Sequence, residues 1–185
     1  FRPYQPGHIP VVFVHGTASS PGRWADMLNE LENDPTIRDH FQFWFFTYDT
    51  GNPIPYSAGL LRESLSNALQ TFDPQGKDPA LRKMVVIGHS QGGLLTKMTA
   101  INSGDQFWTR ISKKPIDELE LQPKTRQLLQ QSLFFHPLSF VRTLIFIATP
   151  HGGSYLAAWG ISHLISRLIT LPTDILFTAT DLITK

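Results

Sequence analysis

MVVIGHSQGGLLTKM, residues 84–98, decides the fold of this chain. The run MVVI at residues 84–87 is short, apolar and rich in β-branched side chains, and the small-residue motif GHSQG follows it directly at residues 88–92. Leu94, Leu95 and Met98 then recur at helical spacing. The stretch therefore predicts a buried strand, a tight turn and an amphipathic helix in immediate succession.

The motif has the form G-x-S-x-G, in which His89 and Gln91 fill the variable positions. Gly88 and Gly92 suit a tight, strained turn where a Cβ would collide with neighbouring backbone. Such a turn lifts the serine Oγ above the strand ends, at a helix N-terminus that favours developing negative charge. An ordinary strand-to-helix turn is the alternative, but the flanking strand and helix favour Ser90 as a nucleophile.

A second signal follows the first apolar run, IPVVFV at residues 9–14, which ends in His15-Gly16-Thr17. An oxyanion hole takes one backbone N–H from the residue after the nucleophile and another from a loop after an earlier strand. Gln91 and Thr17 are the predicted donors. A buried histidine in a β-turn is the alternative interpretation of this segment.

Strand and helix patterns alternate along the chain, which predicts a parallel sheet with right-handed crossovers. The first predicted helix starts after Ser20-Pro21 and stops near residues 33–35, and a more polar insertion spans residues 103–140, with a helix at 123–134. The predicted strands are residues 9–14, 41–48, 84–87 and 141–148.

The composition fits one folded α/β domain over residues 1–185, with 41% hydrophobic and 17% charged residues. A net charge of +1 gives no indication of nucleic-acid binding. There is no cysteine, and the seven histidines are scattered. We therefore predict no metal site and no cofactor, whereas localisation stays open.

Three segments resemble the lipase and esterase branch of the α/β-hydrolase family: VVFVHGTASSPGRW at 11–24, VVIGHSQGG at 85–93 and IFIATPHGGS at 145–154. The resemblance implies a mostly parallel sheet with helices on both faces. It also implies carboxylic ester hydrolysis through an acyl-enzyme on Ser90, without a cofactor. His151 lies in a segment whose histidine is structural in that family.

The family order of catalytic residues is serine, acid, histidine. After the fourth predicted strand only Asp174 and Asp181 remain as acids, and both His151 and His163 precede them. We therefore expect an N-terminal portion of the hydrolase, incomplete in this chain, with acid and base on a C-terminal portion or a companion chain. A rearranged triad using His151 or His163 is the alternative, and a non-catalytic member is a further one.

The apolar stretch at residues 154–185 is predicted to be either a lid or sheet-covering helices, and residues 103–140 are a candidate cap. A lid that opens apolar surface would suit an ester or lipid substrate and contact with a lipid or membrane surface. A non-catalytic binding module, or an acyltransferase on the same scaffold, is the alternative function.

Overall fold

Four parallel strands form the sheet of the computed structural model, which describes residues 4–151. Their order is β2-β1-β3-β4, and every pair is parallel, as the alternating pattern predicts. The predicted lid or covering segment at 154–185 lies outside the described residues. The strands are β1 (Ile9–Val14), β2 (Phe41–Phe46), β3 (Met84–His89) and β4 (Val141–Ile147).

Five α-helices connect or flank these strands in the described part of the chain. None of them is long and apolar enough to cross a membrane. Single turns of 3₁₀-helix lie at Pro21–Trp24, Leu81–Lys83 and Ile116–Glu118. The helices are α1 (Ala25–Asn33), α2 (Pro35–His40), α3 (Ile54–Phe72), α4 (Gln91–Lys97) and α5 (Pro123–Leu133).

Helix α2 is an element that the sequence pattern does not predict. The first helix ends at Asn33, within the predicted range, but Asp34 then caps a new helix. Its Oδ1 accepts hydrogen bonds from the backbone N–H groups of Thr36 at 2.8 Å and Ile37 at 3.3 Å. Pro35 is tolerated because the first helical residue needs no N–H partner. The residues that predict a stop therefore also begin the next helix.

Apolar layers cover both faces of the sheet, which confirms the predicted architecture. On one face Val12, Val14 and Val86 pack against α3 and α4. On the other face Phe13 packs against Trp24, at the start of the α1 segment, with ring centroids 4.9 Å apart. The central strand β1 is buried by this arrangement from Pro10 to Val14, so it can be apolar at every position.

The insertion at residues 103–140 builds a small apolar cluster of its own around Trp108 and Leu133. Helix α5 confirms the predicted helix and packs on α3. The insertion is also joined to the main core, where the Phe135 N–H donates to Ser103 Oγ at 2.8 Å. The guanidinium of Arg62 lies 4.6 Å from the centre of the Phe135 ring. The role of the insertion at residues 103–140 as a cap stays a prediction.

Strands β2 and β4 lie at the two edges of the sheet in the part of the chain that the structure describes. Strand β2 is apolar at almost every position, and its side chains contact both apolar layers although most are only half-buried. Strand β4 leaves Ile145 41% exposed. The edge positions explain why these two apolar strands are less buried than β1.

The N-terminal segment is tied to the loop before β3 by the carboxylate of Asp78. It accepts hydrogen bonds from the Tyr4 hydroxyl and from the backbone N–H groups of Gly7 and Ala80, each N–H at 2.9 Å. Burial opposes ionisation, but these hydrogen bonds outweigh it and hold the pKa of Asp78 below its usual value. Burial and the Asp78 carboxylate together raise the pKa of Tyr4 to about 12.

We expect Asp78→Asn to destabilise the protein at neutral pH and to lose this effect in acid. A carboxyl whose pKa is lowered on folding stabilises the fold above its unfolded pKa of about 3.9, and that stabilisation disappears as pH falls through the lower folded value. Thermal melting of wild type and variant from about pH 7 to about pH 3 should show the two melting temperatures converging. Asp105→Asn, at an exposed position, is the matched control. A difference that is constant with pH would contradict the expectation.

Candidate active site

The loops that follow the strands meet at the carboxyl edge of the parallel sheet, where α/β proteins place their sites. Three residues other than glycine have positive φ among the described residues, and all three follow strands at this edge: Ala18 at 49°, Ser90 at 52° and Ala148 at 48°. Such backbone costs on the order of 1–3 kcal/mol per residue and persists only where the surroundings impose it. In the described part of the chain, unfavourable backbone conformations of residues other than glycine are therefore concentrated at this edge of the sheet.

Ser90, the predicted nucleophile, lies between the last residue of β3 and the first residue of α4, with φ 52° and ψ −122°. Its N–H donates to the Ile147 carbonyl of β4 at 2.9 Å, and its carbonyl accepts from the Gly93 N–H at 3.0 Å. Its hydroxyl makes no capping hydrogen bond to α4. The backbone of Ser90 is thus fixed on both sides while its side chain is not engaged by the helix.

Glycines of the motif are required by close contacts as well as by the turn. A Cβ on Gly88 would lie 2.6 Å from the Gly92 carbonyl oxygen. A Cβ on Gly92 would lie 2.8 Å from the carbonyl carbon of Val14, at the end of β1. A Cβ on Gly93, which follows the motif, would lie 2.7 Å from Cβ of Thr149. Helix α4 can therefore start close to β1 and β4 only because these side chains are absent.

The loop after β1 lies directly against Ser90. A Cβ on Gly16 would lie 2.9 Å from Cβ of Ser90 and 3.0 Å from Nδ1 of His89. Thr17, the predicted second donor, is the next residue along the chain and is exposed. The two predicted oxyanion segments, around Thr17 and around Gln91, are therefore neighbours in space.

His15 is a buried residue that shapes this loop. Its ring is 2% exposed and stacks on Tyr48 with centroids 4.6 Å apart, while Nδ1 lies 3.1 Å from the Gly16 carbonyl oxygen. The Tyr48 hydroxyl donates to the His15 carbonyl at 2.8 Å, and burial raises the pKa of that phenol. His15 is therefore buried, as the alternative interpretation of this segment predicts. It also packs within the loop that lies against Ser90, so the two interpretations are compatible.

Side chains from three loops are joined next to Ser90. The Thr17 hydroxyl donates to Oε1 of Gln91, and Nε2 of Gln91 lies 3.4 Å from the Thr50 carbonyl oxygen. The Ala18 N–H donates to Oγ1 of Thr50 at 3.2 Å. The loops after β1, β2 and β3 are therefore connected through Gln91 and Thr50.

No histidine among residues 4–151 is hydrogen-bonded to the Ser90 hydroxyl. His89 points toward Trp24, whose ring it meets edge-on at 6.4 Å between centroids. His151 is exposed and packs edge-on against Phe146 with centroids 4.6 Å apart, a packing contact. His163, the other candidate for a rearranged triad, lies outside the described residues together with Asp174 and Asp181.

Thr50, Tyr48 and Thr149 are site residues that the sequence pattern does not identify. Each lies in a loop two to four residues after a strand, and its contact is with a residue more than 30 positions away. For Thr149, the neighbouring sequence offers only the dipeptide Thr-Pro before His151 as an indication. Their part in the site becomes visible only when the strands are placed side by side.

The described residues contain no group of three or more His, Asp or Glu side chains that could hold a metal ion. A cavity of about 420 Å³ lies away from Ser90, along β2 and α1, where Leu28, Phe43 and Trp44 line it together with Glu32 and Arg38. Its lining includes none of Thr17, Thr50, Ser90 and Gln91, so the strained turn and the cavity are separate features.

A family model for the PGAP1-like alpha/beta domain matches residues 5–112, which contain β1, β2, β3 and the Ser90 turn. No curated protein sequence matches the chain. Among solved structures, the lipase BlEst2 of Bacillus licheniformis is similar in its mature form, with 19% identity and a TM-score of 0.45 over 96% of this chain and 60% of that one.

The propeptide form of the same lipase has 20% identity and a TM-score of 0.45, over 84% of this chain and 25% of that one. An acetyl xylan esterase has 19% identity and a TM-score of 0.43, over 80% of this chain and 65% of that one. The chain thus spans less than two thirds of these proteins. Likeness at this level carries no conclusion about activity.

We expect Gly92→Ala to destabilise the protein by at least about 1–3 kcal/mol, because the added methyl group would overlap backbone at the end of β1. Gly22→Ala is the matched control, since its Cβ would come no closer than 3.5 Å to Ser20 Oγ. Urea unfolding of both variants would measure the difference. Equal stabilities would show that α4 does not approach β1 as closely as described.

Proposed function

The chain belongs to the family of PGAP1-like alpha/beta domains, and we propose that it carries the nucleophile of a serine hydrolase that cleaves carboxylic esters. The proposed nucleophile is Ser90. The proposed oxyanion donors are the backbone N–H groups of Thr17 and Gln91. The proposal needs no metal and no cofactor.

One observation carries the proposal: the conformation of Ser90 at the turn between β3 and α4, with Gly16 packed against it. The angles φ 52° and ψ −122° are unfavourable for serine, and glycine would adopt them at a lower cost in conformational free energy. The surrounding glycines and the hydrogen bonds to β4 and α4 impose the conformation. A nucleophile elbow requires a serine in a strained backbone conformation whose hydroxyl does not cap the following helix, and Ser90 has both features.

The reaction proceeds through two displacements. The Ser90 oxygen forms a bond to the ester carbonyl carbon while its proton passes to a general base, and the carbonyl oxygen becomes an oxyanion. The carbon–oxygen bond to the alcohol then breaks, the alcohol leaves with the proton, and the acyl group stays on Ser90. Water, deprotonated by the same base, releases the acid and restores the hydroxyl.

The base and the acid are assigned to no residue among 4–151. A serine hydroxyl is a weak nucleophile at neutral pH without an adjacent base. Since no described histidine is hydrogen-bonded to Ser90, the proposal places the base outside the described part of the chain. The arrangement within residues 4–151 then supplies the nucleophile and the two backbone donors.

The oxyanion donors act where charge develops, so they stabilise the transition state more than the bound ester. Loss of a single donor in sites of this kind lowers kcat by about 10²–10³-fold. Both proposed donors are backbone N–H groups, so only a substitution by proline would remove one directly, and proline would also restrict the backbone of the loop. Their effect depends on how well the loops that carry Thr17 and Gln91 are held.

The substrate class that we propose is an ester with an apolar acyl group, including lipid esters. The apolar stretch at residues 154–185 and the insertion at 103–140 are the proposed acyl-chain wall and cap. Contact with a lipid surface would follow from that placement. A series of nitrophenyl esters of increasing acyl length would test it, since a wall of this kind should favour chains longer than acetyl.

We expect the full protein to form one covalent adduct with a fluorophosphonate, on Ser90, and Ser90→Ala to form none. Hydrolysis of a nitrophenyl ester should fall by about 10³-fold or more in that variant, because the residue acts together with its base. Intact mass and peptide mapping would locate the adduct. Ser139→Ala, an exposed serine just before β4, is the matched control and should behave as wild type.

Two outcomes would contradict the proposal. A folded wild-type protein that forms no adduct and hydrolyses no ester would favour a non-catalytic binding module on this scaffold. An adduct on Ser90 with unchanged ester turnover in Ser90→Ala would assign the hydrolysis to another residue. Melting temperatures of all variants would separate loss of chemistry from loss of folding.

A further inference from the structure

We infer that Thr50 and Gln91 are positioning residues. Their side chains hold residues 16–18, which we name the Thr17 loop, in place beside Ser90. The inference rests on the proposed function, because it concerns the backbone donor that Thr17 would supply. It adds a third loop, the one after β2, to a site otherwise built from the ends of β1 and β3.

The contacts run in sequence through one amide. The Thr17 hydroxyl donates to Oε1 of Gln91, and the Nε2 group of Gln91 donates to the Thr50 carbonyl at 3.4 Å. The Thr50 hydroxyl oxygen then accepts from the Ala18 N–H at 3.2 Å. The circuit starts and ends on adjacent residues of the same loop, so it fixes both Thr17 and Ala18.

The orientation of the Gln91 amide is determined by these partners. A carbonyl oxygen such as that of Thr50 can only accept, so the NH₂ group must face it. The amide oxygen then faces the Thr17 hydroxyl, which can donate. Only one of the two amide orientations therefore satisfies both neighbours.

The Thr17 loop needs such support because of its own backbone. On one side is Gly16, which has no side chain to restrict it and lies against Ser90. On the other side is Ala18, whose φ of 49° is unfavourable for a residue with a Cβ. Without an external contact the loop could relax at Ala18, and the peptide N–H of Thr17 would turn with it.

Gln91 has a double part in this arrangement. Its backbone N–H is one proposed oxyanion donor, and its side chain restrains the residue that supplies the other. The distance between the two donors is thereby linked to a single residue, which itself is fixed at the first position of α4. Loosening the circuit should misplace one donor and leave Ser90 in place.

The test compares variants that keep the shape of the side chain and remove its hydrogen bond. Thr50→Val and Gln91→Met in the full protein should each lower kcat for a nitrophenyl ester by about 10–100-fold, with KM changed by less than about threefold. The loss falls on kcat because the oxyanion exists only along the reaction path. Thr50→Ser keeps the hydroxyl and should retain most of the wild-type kcat.

The control is Thr143→Val, at an exposed position on β4 remote from the carboxyl edge. It should leave kcat, KM and melting temperature as in wild type. Thr17→Val and Gln91→Met remove the same hydrogen bond, so the double variant should lose little more than the more affected single variant.

The outcomes separate this inference from the proposed function. A wild-type protein without a Ser90 adduct overturns the proposed function and, with it, this inference. Wild type that is labelled and active, with Thr50→Val and Gln91→Met within about twofold of its kcat, overturns the inference alone. Equal losses in Thr50→Ser and Thr50→Val, or losses that follow the melting temperature, also overturn it, because they indicate a structural role.

Discussion

The close approach of α4 to the ends of β1 and β4 is the constraint on which the site depends. Backbone atoms of Val14 and His15 occupy the space that a Cβ on Gly92 would need, and Thr149 occupies that of Gly93. Helix α4 can start there only without side chains. With the start of α4 fixed, the residue just before it must turn sharply out of β3, and that residue is Ser90.

The strain in this turn is supported by the apolar layers on both sides of the sheet. Strand β1 is buried throughout its central part, and Phe13 and Val14 are fully inaccessible, so the strand ends that hold Ser90 and Gly16 cannot shift independently. Hydrogen bonds from Ser90 to β4 and from Tyr48 to His15 extend this support to the loops. A rigid parallel core therefore allows unfavourable backbone at its edge, which an isolated turn of the same sequence would not adopt.

The sequence predicts those parts of the molecule that depend on neighbours in the chain. The four strands, the first helix and the sharp turn at Ser90 are found close to where hydrophobic periodicity and glycine spacing indicate them. Strand β3 runs two residues further than predicted, through Gly88 and His89, and a 3₁₀ turn at Pro21–Trp24 precedes the first α-helix. The sequence pattern does not predict helix α2, because Asp34 and Pro35 are typical both of the end of one helix and of the start of another. The predicted end of β2, at residue 48, is two residues beyond the observed end at Phe46, since Tyr48 is apolar enough to continue the strand but packs on His15 instead.

Contacts between loops are the part of the site that the sequence does not predict. Glycine spacing predicts a strained Ser90, because Gly88 and Gly92 lie within two residues of it in the chain, but nothing near Thr50 in the chain distinguishes it from any other loop threonine. Its role arises from the strand order β2-β1-β3, which brings the three following loops side by side. In that order β1 lies in the middle, so its loop is the one that both neighbours can reach. Gln91 on one side therefore contacts Thr17, and Thr50 on the other side contacts the next residue, Ala18. The strand order thus explains why the strained backbone of this loop is contacted from two directions.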